Sequence, residues 1–276
     1  MTYGKLVACA LAAMGLVSIP RQASAIDRLT NDDVKTLFDT IEHNRSEFEA
    51  ALDQKQKNSI LKGSGGEVNA NEFLDDFEDQ VERARDRFKD DYSASSEVLT
   101  ILQYGVRLQG WVAMQPAGFP GTKEWGVLDN DLRRLAAAYN TALPAPGQQG
   151  LGTVAQARRI NDPELKTAVE NINKKMDGFR TAYNQALEAN ASLTPQARQT
   201  SIQQVDTMKK DAQALHTALD KKQKGIPEAG ALLKQSALII NTTSKLPPSS
   251  PATLAWTPMR DDLATVALAY EVPAPK

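Results

Sequence analysis

Residues Trp125–Tyr139 read WGVLDNDLRRLAAAY, and residues Trp256–Tyr270 read WTPMRDDLATVALAY. Both fit W-x2-[LM]-x2-D-L-x2-[LV]-A-x-A-Y, and each follows a Pro-rich stretch in which Pro116, Pro120 and Thr122 answer Pro247, Pro251 and Thr253. The shared offset extends far upstream. Residues 28–139 align with 159–270 without a gap, with 19 identities in 112 positions, where roughly seven would be expected by chance in so Ala-rich a chain. Arg28 meets Arg159, Lys35-Thr36 meets Lys166-Thr167, and Phe48 meets Phe179. Shared helical periodicity alone would not place a Trp, two Pro and a Tyr at one offset. The sequence therefore predicts an internal duplication.

Apolar spacing predicts helices in both copies. Val34, Leu37, Phe38, Ile41, Phe48 and Leu52 recur at steps that keep one helix face, as do Leu165, Val169, Ile172, Met176, Phe179 and Tyr183. A second pair of helices carries Phe73, Phe77, Val81, Ala84 and Phe88, answered by Val205, Met208, Ala212, Leu215 and Leu219. The third runs from Glu97 to about Met114 and from Glu228 to about Asn241, and the fourth holds the repeated motif. Asp162-Pro163, Thr194-Pro195 and Thr257-Pro258 each predict a start, with a capping side chain ahead of a proline at the first helical position. No sustained alternating run predicts a strand. The expected fold is all-α, two tandem four-helix units, each a helical bundle.

Breakers divide the chain. Gly63 to Gly66 separates the first two helices, and Gln115–Glu124 and Leu246–Ala255 are expected as Pro-rich connections before the motif. Residues 1–25 have a basic head at Lys5, an apolar run from Leu6 to Ile19, a break at Pro20, and Ala23-Ser24-Ala25 as a cleavage site. That is the pattern of a bacterial secretory signal, too short and wrongly flanked for a stable membrane span. The expected organisation is a signal peptide over 1–25, a first repeat over 26–143, a linker over 144–158 and a second repeat over 159–276. Cleavage before Ile26 leaves 30 basic and 34 acidic groups and removes Cys9, the one cysteine. The mature chain can form no disulfide, thiolate metal site or CxxC redox centre.

Chemistry-bearing motifs are scarce. The histidines, His43 and His216, stand outside any HExxH or other ligand spacing, and their repeat counterparts are Lys174 and Arg85. No nucleotide-binding glycine loop or GxSxG elbow is present. Asp75, Asp76, Glu78, Asp79, Glu82 and Asp86, interleaved with Arg83, Arg85 and Arg87, read as a solvated helix face laced with salt bridges. The alternative is a complementary interface: residues 26–150 carry net −8 and residues 151–276 net +4.

The candidate site residues are those of the motif: Trp125, Asp131, Tyr139, Trp256, Asp262 and Tyr270. Trp and Tyr are expected to plug the bundle ends, with Asp131 and Asp262 favouring the positive end of a helix. The functional counterpart is a pair of quasi-equivalent pockets in which Trp stacks a ligand and Asp orients it. No cofactor, metal or nucleic-acid partner is expected, the near-neutral charge giving no basic face for phosphates. The sequence favours an exported, non-catalytic binding or scaffold protein of the bacterial envelope; the alternative is a small-ligand or metal-binding helical bundle, with an enzyme behind it. Its expected partners are an envelope protein or a small ligand.

Overall fold

In a computed structural model, residues 28–62, 66–144, 154, 156–190 and 193–270 are described. The signal segment, most of the Gly63–Gly66 breaker and most of the linker lie outside the described residues.

Local signals set the boundaries. Helix α1 (Asn31–Ala51) starts from Thr30, whose hydroxyl accepts from the Asp33 N–H while the Asp33 carboxylate accepts from the Thr30 N–H. After a short α2 (Gln54–Lys57), a hairpin pairs β1 (Ile60–Lys62) with β2 (Glu67–Asn69), antiparallel. Then come α3 (Ala70–Arg87), α4 (Ser95–Ala113) and α5 (Thr122–Ala138). The second half has α6 (Asp162–Ala189), α7 (Pro195–Asp220), α8 (Ile226–Thr243) and α9 (Pro251–Ala269). The protein is an all-α helical bundle in which the hairpin is the one sheet among the described residues.

The long helices follow one order in both halves. α1 and α6 start at 31 and 162, α4 and α8 at 95 and 226, and α5 and α9 end at 138 and 269, each a separation of 131. In the first half α1 packs on α3 and α5, and α4 on α3 and α5; in the second, α6 packs on α7 and α9, and α8 on α7 and α9. Each half closes its own ring of four helices around its own apolar core. One core runs from Val34 to Val154 and the other from Ile160 to Tyr270. No helix among the described residues is long and apolar enough to cross a membrane.

Four local expectations are corrected. First, a hairpin and the short α2 stand where the second half has the end of α6 and the start of α7. Gly66 takes φ +138°, a conformation open to glycine, and the Ala70 N–H donates to the Ser59 carbonyl at 2.8 Å to close the hairpin onto α3. Second, Pro258 lies inside α9 and does not start it. The same cap-then-proline signal occurs earlier, where the Ser250 hydroxyl accepts from the Thr253 N–H ahead of Pro251. The carbonyl that Pro258 leaves without its helical donor belongs to Leu254, an exposed residue. Third, Asn161 rather than Asp162 caps α6, which shortens no helix but frees the Asp162 carboxylate. Fourth, the Pro-rich connections are shorter than expected, because α5 begins at Thr122 and α9 at Pro251.

Candidate functional site

Within the repeated motif, the two tryptophans are core residues. Trp125 is 8% exposed and meets Phe48 with ring centroids 5.7 Å apart; Trp256 is 6% exposed and meets Phe179 at 5.2 Å. Each joins the first turn or two of the last helix of its unit to the later part of the first helix. Both tryptophans thus form packed aromatic pairs at equivalent positions in the two halves.

Asp131 and Asp262 sit well inside α5 and α9, not at the helix start, so the helix-end reading is corrected. They clamp neighbouring helices together. The Asn44 amide donates to Asp131 Oδ2 at 2.6 Å, and Arg134 donates to Oδ1 at 3.1 Å. In the second half Lys175, the counterpart of Asn44, donates to Asp262 Oδ2 at 2.6 Å and also to the Pro258 carbonyl at 3.0 Å. The Asn171 amide reaches Asp262 Oδ1 at 3.4 Å. A carboxylate bonded to α1 or α6 in this way fixes how the last helix lies on the first.

Tyr139 and Tyr270 close the other end. The Tyr139 hydroxyl donates to the Ser93 carbonyl at 2.5 Å, and Tyr270 donates to the Lys224 carbonyl at 2.7 Å. These carbonyls precede Ala94 and Gly225, the left-handed residues from which α4 and α8 begin and which offer no capping side chain. Burial pushes both phenols up, Tyr139 well above the usual range and Tyr270 to about 12. Both groups are therefore neutral donors across the physiological range.

The tyrosine ends meet at the junction between the halves, where the contacts are reciprocal. Arg28 pairs with Asp162, and Arg159 donates to Asn31 Oδ1 at 3.3 Å; Arg28 and Asn31 stand 131 residues before Arg159 and Asp162. The first N–H of α1, on Asn31, donates to Asp162 Oδ2 at 2.9 Å, and the first N–H of α6, on Asp162, donates to Asn31 Oδ1 at 3.4 Å. Each helix thus satisfies an orphan donor of the other. Arg159 also donates to the Leu29 carbonyl at 2.6 Å, and Arg28 lies over the Tyr270 ring at 5.7 Å. Burial, with the adjacent Arg28 charge, holds the Arg159 guanidinium down to about 10. Lys224 reaches Asp33 across the junction at 3.4 Å.

A crevice of about 290 Å³ opens beside this junction, and its walls include Arg28, Asn31, Asp90, Asp162, Lys166 and Lys222. Its charges are of both signs: Arg28 pairs with Asp162 within the crevice, while Lys166 pairs with Asp220 and Asp90 with Lys35 beside it. The acidic face of α3 is laced in the same way, Glu78 to Arg45 and Glu82 to Arg85. Glu42, Glu78 and Glu82 approach closely enough to hold a cation, but Arg45 and Arg85 already supply the positive charge there. His43 is exposed, and His216 lies near Glu170 and Asp220 on a helix surface. Sequence reasoning did not single out the Arg28–Asp162 junction. Its signal was the Arg28/Arg159 identity, which marks a repeated position but not its partner across the halves.

No known protein family, curated protein or solved structure matches the chain.

Proposed function

We propose that the protein is an exported, non-catalytic binding or scaffold protein of the bacterial cell envelope, built as two helical bundles held in a set orientation. One observation carries the reading: the carboxylates and phenols of the repeated motif are engaged within the fold. Asp131 and Asp262 clamp helices, and Tyr139 and Tyr270 hold helix starts. Groups so engaged supply a rigid frame rather than a general acid or base, which needs a geometry open to substrate. Export rests on the signal pattern of residues 1–25 and suits a mature chain with no cysteine to oxidise.

Osmotic-shock fractionation with intact-mass analysis tests the location, and size exclusion after mild crosslinking in cells tests the role. The expected result is a chain beginning at Ile26 in the envelope fraction, eluting with an envelope protein above its monomer mass. A chain retaining Met1 in the cytosol, or a mature chain that crosslinks to no protein, would overturn the corresponding half of the proposal.

A further inference from the structure

The crevice beside the junction is shared by the two halves, and they give it opposite charge. From the first half come Asp32 and Asp90; from the second come Lys166, Leu219 and Lys222. Arg28, which also lines it, is buried, and Asp162, Lys166 and Leu219 are half-buried, so the hollow is cut into the molecule.

Those carboxylates and ammonium groups find partners on their own sides only. Lys35 is 3.2 Å from Asp90 and 3.9 Å from Asp32, one cation for two carboxylates of the first half. Lys166 pairs with Asp220 at 2.6 Å within the second half, and Lys222 forms no ion pair among the described residues. No ion pair among the described residues joins either carboxylate to either lysine. A surplus of negative charge therefore stands on one side of the crevice and a surplus of positive charge on the other. Beside them Arg28 is 5% exposed, and its Nε–H has no hydrogen-bond partner among the described residues. A buried guanidinium donor left over after the Asp162 pair calls for a further acceptor.

We propose that the crevice binds a free α-amino acid with an apolar side chain, its ammonium toward Asp32 and Asp90 and its carboxylate toward Lys222 and Arg28. The proposal rests on the reading of the protein as a binding protein and gives that reading a ligand class. A zwitterion replaces one unbridged gap between opposite charges by two short charge-assisted contacts. An anion alone would meet Asp32 and Asp90, and a cation alone would meet Lys222, each a like-charge contact that selects against it. Leu219 and Pro163 supply an apolar wall for the side chain. At about 290 Å³ the crevice stands at the small end of ligand sites, which run from about 300 to 1,000 Å³, and so suits one amino acid. A ligand held from both halves also ties them together across their polar junction.

Isothermal titration of the purified mature chain with L-leucine tests this directly, with isocaproate and isoamylamine as comparators that each keep one of its charges. The assay needs neither the native location nor a partner protein, so its failure is separable from failure of the envelope reading. Saturable one-to-one binding of leucine, with both comparators at least about ten-fold weaker, is the expected result. Lys222→Gln and the double variant Asp32→Asn/Asp90→Asn should each weaken leucine at least about ten-fold. Lys222 takes part in no ion pair among the described residues, so its variant can lose binding without losing the fold. Lys234→Gln, at an exposed position on α8, should bind as wild type. No saturable leucine binding, either comparator bound as tightly as leucine, unchanged binding in Lys222→Gln or in the double variant, or equal weakening in Lys234→Gln would each overturn it.

Discussion

Replacing Trp256 by Ala separates a core anchor from a ligand-lining residue. A Trp side chain covers about 150 to 250 Å², and Trp256 is 6% exposed. At about 25 cal/mol per Å² the burial of such a residue amounts to about 4 to 6 kcal/mol. The β-carbon that Ala keeps reduces the loss, and the aromatic pairing with Phe179 at 5.2 Å adds about 0.5 to 1.5 kcal/mol to it. The expected cost is about 3 to 5 kcal/mol, the usual range for emptying a large aromatic site. For a bundle the size of the second half, each kcal/mol moves Tm by roughly 4 °C or more, so the fall should be at least about 12 °C. Calorimetry with far-UV circular dichroism measures it, and if the bundles melt separately, only the transition of the second should move. A Trp lining a solvent-filled pocket would cost little. A Tm for Trp256→Ala indistinguishable from wild type would therefore refute the packing argument.

Asp131→Ala should cost about 1 to 3 kcal/mol in urea denaturation, because it strands the Asn44 amide; a loss below a few tenths would show that the clamp is idle. Stability should fall as pH rises from about 10 towards 12. Tyr270 must stay protonated in the fold to about 12 while the unfolded phenol ionises near 10, so the native state binds more protons through that window. The loss approaches about 1.4 kcal/mol per pH unit for this residue, and Tyr270→Phe should flatten the slope, as chemical denaturation across the window would read. Arg28→Ala removes the partner of Asp162 and should separate the melting of the two halves by calorimetry; a single transition as sharp as wild type would argue against the junction.

The helices were legible because apolar residues such as Val34, Ile41 and Phe48 repeat on one face and because Thr194, ahead of Pro195, announces its helix locally. The hairpin was not, since Ile60, Leu61 and Val68 make too short a run for alternation to register. Pro258 misled because its dipeptide copies that of Pro251. The better clue was the spacing of Ala252, Trp256 and Met259, which carries one buried face straight past the proline. For the candidate site, sequence located the motif, but the role of each residue depended on distant partners. Nothing near Asp131 in the chain points to Asn44, and nothing near Tyr270 points to Lys224 or Arg28.

The reciprocal junction has a consequence for how the molecule behaves at low concentration. A contact made by Arg28, Asn31, Arg159 and Asp162 is a few hydrogen bonds, modest beside the interface that separate chains need in order to stay paired. Joined in one chain, the two halves meet each other at the effective concentration set by their tether, on the order of millimolar for a short one. The closed arrangement is then favoured over the same contact made between two molecules by the ratio of that value to the protein's own concentration. A single proteolytic cut after residue 144 would abolish the advantage, and it would also carry Val154 and Ala157 away from the first core with the second fragment.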